Sequence, residues 1–393
     1  MASRIVARLS PAFPILDDID ATDLPAVADA IAGLEGGESA LLQAIVGVAE
    51  FTTATPNYAH KLLSVLMLEG VVDVLTTNWD NCIERGSADE RPSAVVTSHD
   101  LSNITPPSVL KIHGCATQPQ SLLVTSAHLA APPQWVIDET RHRLGAATVA
   151  FVGIGDIAGY VRLRIAEAIS GVGAIENIRV VSPGIVTGWT SSPWAELIPD
   201  LAATQRIAAT ADEFLEQLGR AYVLGVLGDI ALEFADHPNF LAAVRNAQAS
   251  ITANDALRIL VWARRAAVMP HAGVAVFDSE SMTVILCALG VLLPGGFYLD
   301  ASGTVRAPET YLQILVSSGR ASASRMQREA QNRLSAARTE GREVPRFLVA
   351  GGIGWGLGPT LPADILDEGR GDDVLDGPLN QRPDIQRAED VLA

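Results

Sequence analysis

Apolar residues recur three and four positions apart between Asp23 and Glu69, which predicts three successive helices. One opens at Leu24-Pro25, one covers Ser39–Phe51, and one follows Pro56 and carries Leu62, Leu63, Val65, Leu66 and Leu68. Gly70 ends the third. The pattern then changes to short runs with no polar face. Val71–Thr76 is β-branched and apolar, and comparable runs at Ala94–Thr97, Val109–Ile112, Leu122–Thr125, Thr148–Val152, Ile178–Ser182 and Arg206–Ala208 predict strands. Helical patterns at Ile157–Ser170 and Ala211–Val223 fall among them, and a polar helix start follows Asp80. Short buried strands alternating with helices predict an α/β fold. The expected first domain, residues 1–220, is a Rossmann-like doubly wound parallel sheet with helices on both faces.

Beyond residue 220 the character changes to long Ala- and Leu-rich helical stretches, such as Val223–Ala247 and Asn254–Ala267. A hairpin at Phe297–Ala307, an Arg-rich helix at Ala321–Arg338 and a strand at Arg346–Ala350 follow. Residues 221–362 are therefore expected to be a mostly helical α+β domain. Residues 363–393 read as a frayed acidic tail, because nine acidic and three basic residues lie from Asp364 to the end.

Hydrophobic residues make up 48% of the 393 and charged residues 19%, with mean hydropathy +0.25, so global disorder is excluded. The longest apolar runs, Met282–Leu293 and Leu144–Gly155, fall short of the roughly 18–20 residues a bilayer demands. No apolar secretory segment follows Met1, so a soluble cytoplasmic chain without a membrane partner is expected. The formal charge of −17 argues against a general nucleic-acid partner. Three cysteines (Cys82, Cys115, Cys287) cannot form a four-cysteine zinc site. His60, His99, His128, His142, His237 and His271 show no metal-ligand spacing and read as structural, so no metal is expected.

Candidate chemistry gathers at the strand ends, where open α/β sheets bind ligands. Those ends carry Thr76-Thr77-Asn78-Trp79-Asp80, Ile112-His113-Gly114, Gly153-Ile154-Gly155-Asp156 and Ser182-Pro183-Gly184. Taken alone, Asn-x-Asp after a strand equally suits an Asx-turn or a helix cap. The glycine cluster Gly351–Gly358 runs into Pro359-Thr360-Leu361-Pro362 rather than a long helix, and reads as a packing loop. The arginines from Arg320 to Arg342 read as a solvated helix face, and Trp262 as core.

These strand ends resemble the sirtuin-like family of NAD-processing domains. Val74–Asp80 is similar to its T-Q-N-x-D loop, Leu110–Gly114 to its strand ending in His-Gly, Ser121–Thr125 to the segment that follows His-Gly, and Phe151–Asp156 to a further glycine element. The resemblance implies NAD as substrate or ligand, with Asn78 at the ribose or a water and Asp80 accepting from the carboxamide. His113 would be the general base, and an imidazole with its ordinary pKa of roughly 6.5 suits that work at neutral pH. Gly114, Gly153 and Gly155 would admit the dinucleotide closely, with Thr77 and Ser182 beside it. Without a zinc ribbon, the resemblance points away from protein deacetylation and toward the zinc-free NAD hydrolases of bacterial anti-phage defence. The family's opening strand and G-A-G-x-S loop have one candidate here, Ile5–Ser10, with Ser10 as the serine and Val6 and Arg8 in place of the glycines. In that arrangement Arg8 would enter the crevice and pair with Asp80 or Asp156. Two functions are thus expected in competition. One is an NAD hydrolase releasing nicotinamide and ADP-ribose, with residues 221–362 serving a homo-oligomer or regulatory protein. The other is a degenerate module that binds NAD, ADP-ribose or a protein without turnover.

Overall fold

The computed structural model describes residues 2–267, apart from 22, 50, 89, 105, 146–147, 155–164, 167–168, 171, 173, 234 and 236–237. Beyond these it describes residues 273, 296, 298–301, 304–306, 311–316, 323–342, 344, 346–351 and 384–387. The chain divides into two compact units, Met1–Leu215 and Glu216–Ala393. Among the described residues no helix is long and apolar enough to cross a membrane.

The first unit opens with a helix, α1 (Ala2–Leu9), where a strand and phosphate loop were expected. Ile5 and Leu9 lie four apart, a spacing that puts both on one face of either a helix or a strand, so packing decides between them. Both are buried against Leu16, Val27, Ile31, Leu41 and Ile45, at about 1.5–3 kcal/mol per side chain. The partners come from α2 (Leu24–Ala32) and α3 (Gly37–Ala49), apart from Leu16 in a short 3₁₀ turn. Asp23 caps α2, accepting from the Ala26 N–H at 3.1 Å.

Helix α4 (Tyr58–Leu68) buries Leu62, Val65, Leu66, Met67 and Leu68 and delivers the chain to β1 (Val74–Thr76). With β2 (Ser93–Val95) and β3 (Ser108–Lys111) it forms an all-parallel sheet in the order β1-β3-β2. A second all-parallel sheet, β4-β5-β6, is built from β4 (Val149–Val152), β5 (Ile178–Val181) and β6 (Arg206–Ile207). Helices and parallel sheets give the mixed α/β architecture expected of a Rossmann-like fold. The strands form two three-stranded sheets, and among the described residues no strand pair joins them.

Three local expectations change. Leu122–Thr125 is not a strand; Leu122 and Val124 turn into the α1–α3 core, and Thr125 caps α5 (Ser126–Ala130) by accepting from the His128 N–H. After Asp80 the chain makes a turn over Cys82–Arg85 instead of entering a helix. The predicted helix Ile157–Ser170 lies mostly outside the described residues. Helix α6 (Gln134–Leu144) is tied to the sheet's amino edge by Arg143, which donates to Asp73 Oδ1, Ser108 O, Ser108 Oγ and Glu139 Oε1 at 2.7–2.9 Å.

Helices Ala211–Glu233, Pro238–Ser250 and Ala253–Ala266 follow, so the predicted helix over Val223–Ala247 is broken at Pro238. Pro has no N–H to donate, and a helix restarts there readily. The second unit also holds a five-stranded sheet, more strand than a mostly helical domain implies. β7 (Tyr298–Leu299), β8 (Val305–Arg306) and β9 (Tyr311–Val316) are antiparallel neighbours; β10 (Arg346–Gly351) and β11 (Asp384–Arg387) extend β9 in parallel. Residues 384–387 therefore pair as a strand instead of fraying with an acidic tail. Leu315, Met326, Ala330, Leu334, Phe347 and Val349 form the core beneath, with helix Ala323–Thr339 supplying Met326, Ala330 and Leu334. That helix is not only a solvated face, because Arg333 donates to the Arg265 carbonyl at 2.6 Å. Trp262 is buried as expected. Residues 352–358 of the glycine cluster lie outside the described residues.

Candidate functional site

β1 and β3 are adjacent and parallel, with Thr76 opposite Lys111, and Ile112 N–H extends the ladder to Thr76 O at 3.0 Å. Asn78 and His113 each lie two residues beyond those paired positions. They therefore leave the same edge of the sheet from neighbouring strands, which lie about 4.8 Å apart. Thr77 and Asn78 are exposed, and Asp80 and His113 are half-buried.

The loop that carries Asn78 is held from below by its own carbonyls. Lys111, the last residue of β3, is only 2% exposed. Its ammonium donates to Asn78 O at 3.4 Å and to Asp80 O, and lies 3.3 Å from Glu84 Oε1. Between them, Trp79 O accepts from Ala116 N–H at 2.9 Å and from the Cys115 thiol at 3.5 Å. Three consecutive carbonyls thus point into the protein, and the loop is fixed while the Asn78 side chain stays in solvent. Thr76 Oγ1 adds an acceptor for Asn78 N–H at 3.0 Å. A buried ammonium is tolerable because it has an ion-pair partner and two carbonyls. Among the described residues Glu84 Oε2 has no hydrogen-bond partner, so the pair is incompletely satisfied there.

Asp80 Oδ1 accepts from the Cys82 N–H at 2.9 Å, the Asx-turn geometry, so one carboxylate oxygen is committed to its own backbone. The Cys82 thiol contacts Ala54 O at 3.6 Å. Burial, the Asp80 charge and a hydrogen bond with Asp80 push that thiol up to about 11, against a weaker opposing pull from Arg85 and with a still smaller push from the Glu84 charge. His60 reaches the same place from the first turn of α4. Donor atoms of His60, Asp80 and Cys82 all lie within 4.8 Å of one another, a grouping outside the sequence expectation of structural histidines.

The His113-Gly114 corner is closed by the chain itself. His113 O accepts from Leu123 N–H at 3.1 Å, and Ser121 Oγ accepts from Cys115 N–H at 3.0 Å. Gly114 has φ +85°, and a Cβ there would drive into the Ser121 carbonyl. Its glycine is needed for this close backbone approach. Gly153, at the end of β4, has φ +67° and is exposed; a Cβ would meet only Ala211 Cβ at 3.4 Å. The left-handed backbone, rather than a tight neighbour, accounts for that glycine. Ser182 continues the β5–β6 ladder by donating its N–H to Ile207 O at 3.1 Å.

Ser10 sits at the carboxyl end of α1, its N–H bonded to Val6 O at 2.8 Å, so the expected phosphate loop is replaced by a helix terminus. Arg8 is exposed, with its guanidinium over α3: a Cβ on Gly47 would lie 2.7 Å from Arg8 Nη1. It does not plug the Asn78 crevice. Gly155 and Asp156 lie outside the described residues. An open cleft of about 400 Å³ lies at a different place, lined by Leu42, Val46 and Gly47 of α3 and by Pro119 and Gln120.

One sheet edge thus gathers Thr77, Asn78, Asp80, His113 and Gly114. Gly153 and Ser182 belong to the ends of the second sheet, and Ser10 to neither. Sequence reasoning missed Lys111, Glu84, Arg143 and His60. The lysine left a trace, being one of two in the chain and placed inside the apolar run Val109-Leu110-Lys111-Ile112. Residues 72–179, from the approach to β1 into β5, match the family model of the SIR2-like domain. This supports a sirtuin-like domain there, and such domains bind NAD. The matched span includes Asn78, Asp80, His113 and Gly114, and excludes Ser10 and Ser182. No curated protein matches the chain.

Proposed function

We propose, from a SIR2-like domain at residues 72–179, that this chain binds the nicotinamide-ribose end of NAD at the β1–β3 edge and hydrolyses the bond between them. What carries the reading is the register of β1 on β3, which sends Asn78 and His113 out of one edge from adjacent strands. Water adds to the anomeric carbon as the nicotinamide–ribose C–N bond breaks. Nicotinamide departs neutral with the bonding pair, and the water's proton passes to His113, leaving ADP-ribose. Asn78, held by the Lys111 carbonyl clamp, orients the ribose or the water, and positioning supplies much of the catalysis. Asp80 has one oxygen left for the carboxamide. Consumption of cellular NAD is the output this reading implies, in a defence role against phage, with residues 216–393 governing it.

Incubation of the full chain with NAD tests this, with nicotinamide and ADP-ribose followed by chromatography. His113→Ala should lower the rate about 10²–10⁴-fold, the usual span for a general base. Turnover unchanged by that substitution would reject the assignment. A second reading, binding without turnover, is favoured by one observation: α1 occupies the stretch expected to form the phosphate loop. Calorimetry showing ADP-ribose bound with no nicotinamide released would select it.

A further inference from the structure

We propose that His60, Asp80 and Cys82 form a three-ligand site for a zinc-class divalent cation. The site stands on its own geometry and does not depend on NAD binding. Its donors converge from two separate elements, the first turn of α4 and the turn after β1, and all lie within 4.8 Å of one another. In a tetrahedral zinc site with bonds of about 2.0–2.3 Å, neighbouring donors stand about 3.4 Å apart. Coordination would draw the three side chains from their 4.8 Å bound to that spacing. One thiolate, one imidazole and one carboxylate form the mixed sulfur, nitrogen and oxygen set that suits zinc, and three protein ligands leave a fourth position open.

The Cys82 thiol and the His60 ring make long backbone contacts without metal, whereas Asp80 Oδ1 accepts from Cys82 N–H at 2.9 Å. The Cys82 thiol is 3.6 Å from Ala54 O, and Asn57 N–H is 3.3 Å from His60 Nδ1. Coordination converts the thiol to thiolate and releases its proton to solvent. Whichever ring nitrogen binds the ion, Asn57 N–H loses its acceptor, because the other nitrogen then carries the proton. Asn57 still caps α4 through its side chain, which accepts from His60 N–H at 3.0 Å. A second observation points to a cation. Glu84 is 9% exposed, its Oε2 has no hydrogen-bond partner among the described residues, and its charge acts on Cys82. Lys111 and Arg85 are the nearby cations, and both are already engaged, Lys111 by carbonyls and Glu84, and Arg85 by Thr52 O, Ala54 O and Asn81 Oδ1.

Cobalt titration of the chelator-stripped full chain is the test. One equivalent of Co²⁺ should produce a near-ultraviolet thiolate-to-cobalt band with visible bands of tetrahedral cobalt, and Zn²⁺ should displace both. Cys82→Ser should remove the near-ultraviolet band, and Cys115→Ser should leave it intact. His60→Gln and Asp80→Asn should each weaken cobalt binding at least about tenfold, since even outer partners of metal ligands are worth that much. Absence of the band in the unsubstituted chain, or its survival in Cys82→Ser, overturns the proposal. If Cys82→Ser does not fold, unchanged cobalt affinity in both His60→Gln and Asp80→Asn overturns it instead.

Discussion

Replacing Lys111 with methionine removes the ammonium that joins β3 to the Asn78 loop and leaves the rest of the strand unchanged. The side chain is 1% exposed and its partner Glu84 12%, so solvent can do little to rescue the carboxylate left behind. Breaking one half of a buried pair costs about 3–5 kcal/mol. The carbonyls of Asn78 and Asp80 lose their donor at the same time. Native-state hydrogen exchange of peptides spanning β1 and β3 reads the first unit by itself, without requiring both units to unfold together. At 1.4 kcal/mol per decade, Lys111→Met should accelerate exchange there roughly 10²–10⁴-fold. Adding Glu84→Gln neutralises the stranded charge. The double variant should then retain only the loss of the two carbonyl bonds, about 1–3 kcal/mol, and exchange more slowly than the single variant. Acceleration below tenfold in Lys111→Met, or a double variant as fast as the single, would refute the account of Lys111 as an internal clamp.

Gly114→Ala should destabilise the first unit by about 2–4 kcal/mol in denaturant titration, since φ +85° and the Ser121 carbonyl both oppose a Cβ; a loss under about 0.5 kcal/mol would show that the corner relaxes. The Cys82 thiol, pushed up to about 11 from 9.0, should carry about a hundredfold less thiolate at pH 8 than an ordinary cysteine, so metal-free protein should resist alkylation at that position. The folded state keeps this proton beyond the pH at which the unfolded chain loses it. The corresponding stability is complete below about pH 9 and fades toward about 11, a decline that Asp80→Asn should make smaller, with the same onset and an earlier end, in denaturation curves. Asp100 sits just past β2, where burial pushes its carboxyl up but Val96 N–H, Thr97 N–H, the Thr97 hydroxyl and the His99 charge together draw it below its ordinary 3.8. Its contribution is complete above that value and is lost as pH falls through the lower folded one. Asp100→Ala should therefore cost about 0.5–2 kcal/mol at pH 7 and progressively less as pH falls through the lowered folded value.

The sequence by itself determined the elements whose signals are local. Leu62 to Leu68 in α4, and the short apolar runs at β1, β3, β4 and β5, lie within a residue or three of their predicted positions, because helical spacing and buried β-branched runs are written into consecutive residues. The edge that carries Asn78 and His113 was legible for the same reason, since strand ends in a parallel sheet fall on one side. Tertiary structure decided the rest. Ile5-Val6-Ala7-Arg8-Leu9 has an apolar spacing that either a strand or a helix could use, and only the cluster formed with Leu16, Ile31 and Ile45 makes it a helix. Leu122–Thr125 likewise has strand composition but finds its burial in that same cluster, and Asp384–Arg387 becomes a strand only because β10 offers it an edge. Lys111 with Glu84 and the Asn78 and Asp80 carbonyls, and His60 beside Asp80 and Cys82, join residues about twenty to thirty positions apart in the chain. Such contacts depend on which side chains share an enclosed volume, and no local periodicity records that.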